Sequence, residues 1–225
     1  MSPTVRLSAL YGSIFLTIGI MMPFWPVWLQ SKGLSATEIG LTIASGSIVR
    51  VFLAPQIARF SDRTGERRRP IIALAGAAFL LYLPFYVADE FWVILLLQAC
   101  TAGTFGPLMP LSESLTMTGA KTQKLDYGRI RLWGSLTFIA GASGIGFFLK
   151  GADPDAIWAS VTAALGLLVV ISLFVPDFRS QPAPPESKPF RQVIGACAET
   201  TTDRERTWVN GAIRALYCQL HGMGR

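Results

Sequence analysis

The chain has 225 residues, of which 51% are hydrophobic and 15% are charged, and its formal net charge is +6. Soluble globular proteins carry roughly 25% charged residues, so this composition disfavours a soluble enzyme and indicates contact with lipid. The basic residues lie in short segments between apolar runs, which argues against a nucleic-acid partner. The three cysteines and single histidine lack the spacing of a disulfide framework or a metal site, so we expect no cofactor and no metal.

The first apolar run, Leu7–Leu29, is long enough to cross a bilayer, which takes about 20 residues. It exceeds the apolar core of a signal peptide, about 7–15 residues, and no small-residue cleavage site follows it. We therefore expect a retained first helix. Pro23 and Pro26 predict that its second half is kinked or broken, because proline donates no backbone hydrogen bond.

Five more apolar runs follow, and together they predict an all-α integral membrane fold with six transmembrane helices within residues 1–176. Ser35 and Glu38 have the spacing of a capping box, which starts the second helix. We expect that helix to end near Ala58. The other four are expected at Pro70–Ala88, Phe91 to about Met117, Gly128–Leu149 and Asp155–Val175.

The polar remainder divides in two. Residues 177–192 contain a proline-rich stretch that is typical of a linker. Residues 193–225 contain no apolar run long enough to cross a membrane, and we expect a disordered or aberrant tail. Such a tail is what a frameshift or an early stop would leave in place of a seventh span.

Basic residues predict the orientation, because lysine and arginine concentrate in short cytoplasmic loops. With the amino terminus inside, the inner segments before the linker hold ten basic residues and the outer loops hold two, Lys32 and Lys150. Both termini are therefore expected on the cytoplasmic side.

Arg50, Glu113 and Arg131 are the candidate site residues among the charged residues of the predicted spans, because a charge within a membrane is costly to bury and marks a functional site by default. Arg50 lies deep in the second helix, with Glu113, a substrate carboxylate or backbone carbonyls near Pro55 as alternative partners. Glu113 and Arg131 could offset each other's charge across neighbouring helices, or could anchor helix ends at the cytoplasmic surface.

Aromatic residues and small residues are the neutral residues of interest in these helices. Phe24 and Trp25 could form an aromatic wall of a cavity, although aromatic residues near helix ends, such as Trp28, are more often anchors at the membrane interface. Small residues predict close helix packing. They are Ala99, Ala102, Gly103, Gly106, Ala140 and Gly144, together with Gly76, Gly141 and Gly146.

The segment Ala58–Arg69, read as Ala-Arg-Phe-Ser-Asp-Arg-Thr-Gly-Glu-Arg-Arg-Arg, resembles the loop between helices two and three of the major facilitator superfamily. Ala58 and Glu66 depart from that pattern. The alternative is an ordinary basic cytoplasmic loop. The resemblance implies a conformational gating loop formed by Asp62, Arg63, Gly65, Arg67 and Arg68.

A second resemblance is narrower. Leu125–Ser135 and Val49–Pro55 are similar to segments of the phenylpropionate and lactose permeases, which are proton symporters. It implies that Glu113 and Arg131 form a charged pair that binds substrate or proton, with Arg50, Trp25 and Phe24 as further candidates. It also implies the N-terminal half of a facilitator fold, built as a 3+3 inverted repeat, in the cell inner membrane.

These features predict a secondary active transporter for proton-coupled uptake of a small organic acid such as 3-phenylpropionate, or of a sugar or nucleoside. The expected partners are the small-molecule substrate, a proton, membrane lipid, and a missing C-terminal half or a second copy. The chain contains no Walker nucleotide-binding loop. A truncated, non-transporting fragment is one alternative. A six-helix membrane enzyme or scaffold is another, but the spans hold no histidine and no paired aspartates.

Overall fold

A computed structural model of the chain describes residues 2–123, 126–148 and 153–176, except for the side chains of Asp62, Arg63 and Lys121. The predicted linker and tail, 177–192 and 193–225, lie outside this range. Every regular element within it is helical, and it holds no strand. The α-helices are α1 (Pro3–Ser31), α2 (Ala36–Thr64), α3 (Arg68–Tyr82), α4 (Phe91–Phe105), α5 (Leu108–Gln123), α6 (Tyr127–Phe148) and α7 (Asp155–Leu173), and a 3-10 helix, Leu83–Val87, continues α3.

Five segments of the described chain are long and apolar enough to cross a membrane. They are Pro3–Ser31, Ala36–Ser61, Arg68–Val87, Phe91–Ala120 and Asp155–Leu173. The helix at the position of the remaining predicted span, α6, is not among them. Its five glycines and two arginines lower its mean hydropathy. The all-helical class is thus confirmed, whereas length and composition support five of the six predicted spans.

The first helix is expected to be kinked or broken in its second half. It is not broken, because α1 is continuous through Pro23 and Pro26, and a kink stays a prediction. The interruption lies in the fourth predicted span instead, where α4 ends at Phe105 and α5 begins at Leu108. Pro107 is in the gap, and it cannot donate the helical hydrogen bond that its position requires.

The second helix begins as predicted and ends later than predicted. The Ser35 and Glu38 side chains each accept a hydrogen bond from the other residue's backbone N–H, which completes the capping box. The helix runs six residues beyond Ala58, into the predicted loop, and ends at Thr64. Gly65 then adopts a left-handed conformation with φ of 66°, which glycine accommodates without strain.

The bundle is organised around α1, which packs against α6 and α7, while α2 packs against α4 and α3 joins α4 to α7. An aromatic cluster fills the centre near the end of α1: the rings of Trp25 and Trp28 stack with centroids 4.6 Å apart, and both lie against Phe85. Trp28 is fully buried and its indole N–H donates to Asp155 at 3.2 Å. The expectation that Trp28 anchors the membrane interface is therefore wrong.

Glycine allows the closest helix approaches. A Cβ atom at Gly19 would stand 2.5 Å from the backbone oxygen of Phe138 on α6, and one at Gly103 would stand 2.7 Å from Leu53 on α2. Gly76 and Gly144 have no neighbour within 4 Å of such an atom, so close packing does not explain these two glycines.

Substitution at Gly19 tests the contact between α1 and α6. Gly19→Ala should lower the free energy of unfolding by about 1–3 kcal/mol, because the backbone of Phe138 cannot move aside. Gly76→Ala, the matched control in open space, should be neutral or stabilising by up to about 1 kcal/mol because helical glycine is unfavourable. Thermal unfolding in detergent measures both, and equal midpoints for the two variants would contradict the close packing.

Candidate functional site

A cavity of about 640 Å³ lies between α1, α2, α4 and α5. Its lining is mostly apolar and includes Met21, Trp25, Phe105 and Met109. Arg50 is the one charged residue among the described residues that line it. The cavity therefore combines an apolar wall with a single cationic group, which is a suitable environment for a small amphipathic anion.

Arg50 enters this cavity where α2 passes the gap between α4 and α5. A Cβ atom at Gly106 would stand 2.6 Å from Cγ of Arg50, so the glycine leaves room for the arginine stem. Arg50 forms no hydrogen bond or ion pair with any described residue, including Glu113 and the carbonyls near Pro55. Two of the three expected partners of Arg50, Glu113 and the carbonyls near Pro55, are therefore not bound to it. The third, a substrate carboxylate, stays a prediction.

The position of Trp25 is fixed by a hydrogen bond across the cavity. Its indole N–H donates to the side-chain oxygen of Gln98 on α4 at 3.0 Å, and Gln98 is 8% exposed. Sequence reasoning missed Gln98 as a site residue. The available signal was a lone amide within the otherwise apolar run Phe91–Phe105.

Phe24, the other aromatic candidate on α1, is not among the residues that line this cavity. Its ring faces α6, where a Cβ atom at Gly146 would stand 3.2 Å from it. The two neighbouring aromatic residues therefore have different roles: Trp25 borders the cavity and Phe24 packs between helices.

A second polar cluster joins α1, α5 and α6 and contains Tyr11, Glu113, Tyr127 and Arg131. Arg131 donates through Nη1 to the Tyr127 hydroxyl oxygen at 3.1 Å. Glu113 is half-buried and interacts electrostatically with both Tyr11 and Arg131. Glu113 and Arg131 therefore lie in one cluster, but within the described part of the chain they form no direct ion pair.

The two tyrosines in this cluster are the residues that sequence reasoning missed. Tyr11 is fully buried, and its hydroxyl lies near those of Tyr127 and Thr116 without a well-formed hydrogen bond to a described residue. The Thr116 hydroxyl donates its own proton to the carbonyl of Ser112 at 2.8 Å, so toward Tyr11 it can act as an acceptor. The Tyr11 hydroxyl is thus a buried group that lies near the hydroxyls of Thr116 and Tyr127.

The predicted gating loop connects helix ends. Nη1 of Arg67 donates to the Thr118 hydroxyl on α5 at 2.9 Å, and Nη2 of Arg68 donates to the Leu173 carbonyl on α7 at 2.8 Å. Gly65 makes the expected turn. The side chains of Asp62 and Arg63 lie outside the described residues.

Residues 4–205 match the family model described as the MFS_1 like family. The chain belongs to the major facilitator superfamily. It is 35% identical over 179 residues to the probable 3-phenylpropionic acid transporter of Escherichia coli, covering 77% of this chain and 46% of that protein. It is 30% identical over 169 residues to the maltose permease of Geobacillus stearothermophilus, covering 75% and 43%.

The chain spans about half the length of these curated relatives. It corresponds to the N-terminal half of the superfamily fold, and it is a multi-pass membrane protein. The family and these two relatives are transporters rather than enzymes.

A short stretch of the chain is similar to an enzyme and not to a transporter. A stretch of 35 residues, 16% of this chain, is 57% identical to the leucyl/phenylalanyl-tRNA–protein transferase of Zymomonas mobilis. It covers 13% of that protein.

Removing the amide of Gln98 tests the Trp25 contact. Gln98→Leu should lower the free energy of unfolding by about 1–3 kcal/mol, because it leaves the buried indole N–H without a partner. It should also shift the tryptophan fluorescence of the folded protein. Gln56→Leu makes the same change at an exposed position of α2 and should alter neither quantity. Identical spectra and unfolding midpoints for the two variants would exclude a structural role of the hydrogen bond.

Proposed function

We propose that the chain forms one half of a secondary active transporter for proton-coupled uptake of a small organic acid such as 3-phenylpropionate. The observation that carries this proposal is the Arg50 side chain, which lines an apolar cavity without an ion-pair partner in the described structure. An unpaired guanidinium in a membrane-spanning segment is expensive to maintain. A carboxylate that binds it in a bidentate manner offsets that cost only when substrate is present.

The apolar part of the cavity fits the rest of such a substrate. Trp25 presents an aromatic surface held in place by Gln98 and by its stacking on Trp28. The cavity volume of about 640 Å³ falls within the range of about 300–1,000 Å³ that is usual for sites binding small molecules. A substrate with one phenyl ring and a short acidic chain would not fill this cavity. The remaining space would be available for contacts from another half of the transporter.

The proton would bind Glu113. It is half-buried within the candidate span Phe91–Ala120, and it lies on the same face of α5 as Met109 and Pro110, which line the cavity. Protonation removes a charge that is costly inside the membrane. We also propose the inner membrane as the location, with both termini cytoplasmic and the loop 58–69 acting as a gate through Arg67 and Arg68.

A sugar is the second candidate substrate class. Trp25 and the amide of Gln98 together form an aromatic platform beside a hydrogen-bonding group, which suits a sugar ring, and one relative is a maltose permease. Arg50 disfavours this alternative because a neutral sugar does not compensate its charge.

We further infer that the bundle is a 3+3 inverted repeat, with α4 and α5 counted together as one span. In such a repeat the first, second and third spans correspond to the fourth, fifth and sixth. When each helix is replaced by its counterpart, the contact between α1 and α6 becomes the contact between α4 and α2. The same exchange converts the contact of α1 with α7 into that of α4 with α3, and it leaves the contact of α3 with α7 unchanged. These are the main contacts of the bundle, and an internal two-fold repeat accounts for all of them.

The cavity would be completed by a second half or a second copy. Arg50 is exposed, and α2 also exposes Val51 and Phe52, 69% and 66% accessible. An arginine facing bulk lipid is unfavourable. The face of α2 that carries Arg50 would therefore meet protein, while other apolar surfaces meet lipid.

We propose that the tail, 193–225, has an origin separate from the helical bundle. The similarity to a tRNA–protein transferase is much closer in identity than any transporter similarity above, yet it extends over 35 residues only. Transporter similarity extends over 179 residues and accounts for the helical part, so we infer that the short match falls in the part of the chain after residue 176. A segment of that length holds too little of the transferase to supply its activity.

Binding measurements test the substrate proposal. The purified chain in lipid nanodiscs should bind 3-phenylpropionate, and Arg50→Gln should weaken binding at least about tenfold through loss of a charge-assisted contact. The uncharged amide of 3-phenylpropionate should bind both proteins weakly and equally. Preferential binding of maltose, insensitive to Arg50→Gln, would instead favour the sugar alternative.

Deletion of residues 193–225 tests the separate origin of the tail. The shortened chain should insert into membranes and bind 3-phenylpropionate as the whole chain does, because the cavity lies within the bundle. Loss of insertion or a more than about threefold loss of affinity, a change above about 0.6 kcal/mol, would show that the tail supports the transporter part.

A further inference from the structure

A groove of about 490 Å³ lies on the side of α1 that faces away from the cavity, and it runs over α1 between α6 and α7. Leu16 lines this groove, whereas Ile18 lines the cavity. Two residues of a helix correspond to a rotation of about 200° at 3.6 residues per turn, so these two side chains leave α1 on nearly opposite sides. The groove therefore belongs to a different surface of the bundle from the candidate substrate site.

The groove exists because α1 separates α6 from α7. Helix α1 packs against both, whereas a contact between α6 and α7 is not among the main contacts of the described bundle. The α1 lining includes the small residues Ala9 and Gly12, which leave space above the helix. A further depression of about 450 Å³ shares Leu16 and Leu167 with the groove and continues it along α6. Gly144 lines this continuation, and a Cβ atom there would meet nothing within 4 Å.

The length of the groove matches one leaflet of a membrane. Its lining on α6 begins at Arg129 and reaches Thr137, which follows by eight residues and therefore lies about 12 Å further along the helix at ~1.5 Å per residue. Half of a hydrocarbon core of about 30 Å is about 15 Å. Val5, Leu167 and Ile171 are among the apolar residues along this length. A hydrocarbon chain that starts beside Arg129 would therefore reach nearly to the middle of the membrane within the groove.

Charge is confined to one end of the groove. Arg129 is exposed and is the one charged residue among the described residues that line it, and the lining of the continuation holds none. Its guanidinium forms no hydrogen bond or ion pair with a described residue, and Asp126 accepts from its backbone N–H at 3.2 Å instead. Trp133 lies one turn further along α6, lines the same groove and is 54% exposed. An arginine binds phosphate oxygens through its planar fork, and tryptophan is typical of membrane interfaces.

We propose that this groove binds an anionic phospholipid, with its phosphate at Arg129 and one acyl chain over α1 between α6 and α7. The arginine favours an anionic headgroup over a zwitterionic one, because the net negative charge of the headgroup attracts it. The hydroxyls of Thr4 and Ser8 line the same groove and can donate to headgroup oxygens. In the orientation proposed above, the lipid belongs to the cytoplasmic leaflet. The site requires nothing of the transported substrate.

The position of the groove favours lipid over another protein surface. A second half or a second copy would meet the face of α2 that carries Arg50, as proposed above. The groove includes no residue of α2, so that contact would leave it open. An open apolar groove on a multi-pass protein meets acyl chains, and the charge at its end distinguishes one class of lipid from another.

Quenching of tryptophan fluorescence by brominated lipid tests the site. The whole chain is placed in phosphatidylcholine nanodiscs with increasing shares of phosphatidylglycerol that is brominated on its acyl chains. The contribution of Trp133 is the difference between the chain and its Trp133→Phe variant. The share that gives half-maximal quenching of Trp133 should rise about fivefold in Arg129→Gln, because the basic group that attracts the anionic lipid is lost. Arg59→Gln, which removes an exposed arginine of α2 outside the groove, should leave that share unchanged.

A second variant tests the acyl chain separately from the headgroup. Ala9→Leu fills part of the groove and should reduce the quenching of Trp133 while Arg129 is still present. Brominated phosphatidylcholine should quench Trp133 less than phosphatidylglycerol at the same share. Equal quenching by the two lipids, or an Arg129→Gln variant that behaves as the unmodified chain, would overturn the anionic site. A Trp133 that neither lipid quenches would show that protein covers the groove, which also contradicts the proposal. The assay contains no 3-phenylpropionate, so its result is independent of the proposed transport.

Discussion

The constraint on which the structure depends is that a bilayer interior offers no water to polar groups. Backbone groups meet it by forming helices, and every regular element in the described chain is helical. Side chains meet it individually: Ser13, Thr17, Thr42 and Thr116 all donate to carbonyls within their own helices. Polar groups that do not follow this rule are therefore informative, and Arg50 and Tyr11 are two of them.

The two sites depart from the rule in different ways. Arg50 carries a full charge into a largely apolar cavity and has no partner within the described residues. Tyr11 carries a neutral hydroxyl that lies near several polar groups without bonding well to any. A charge without a partner favours ligand binding. Both residues lie along helices that also hold the bundle together, so binding and packing share the same elements.

Close packing between helices determines the positions of the side chains at these sites. Gly106, in the gap between α4 and α5, leaves room for the stem of Arg50 on α2, and Gly19 allows α1 to lie against α6. The stacked rings of Trp25 and Trp28 then fix the end of α1 beside α4. In a membrane, where apolar burial gives little driving force between helices, such contacts and interhelical hydrogen bonds carry the association.

The sequence by itself determined the helical class, most of the spans, the capping box at Ser35 and the turn at Gly65, because each follows from hydropathy or backbone preference within a few neighbouring residues. It also placed Glu113 and Arg131 in one cluster through resemblance. It was wrong about a break at Pro23 and about the exposure of Trp28, because both outcomes depend on the surrounding helices. Only the tertiary structure decided that Trp25 bonds to Gln98, 73 residues away, and that two tyrosines lie beside Glu113 and Arg131. Such contacts depend on how each helix is rotated against its neighbours, which local periodicity does not specify.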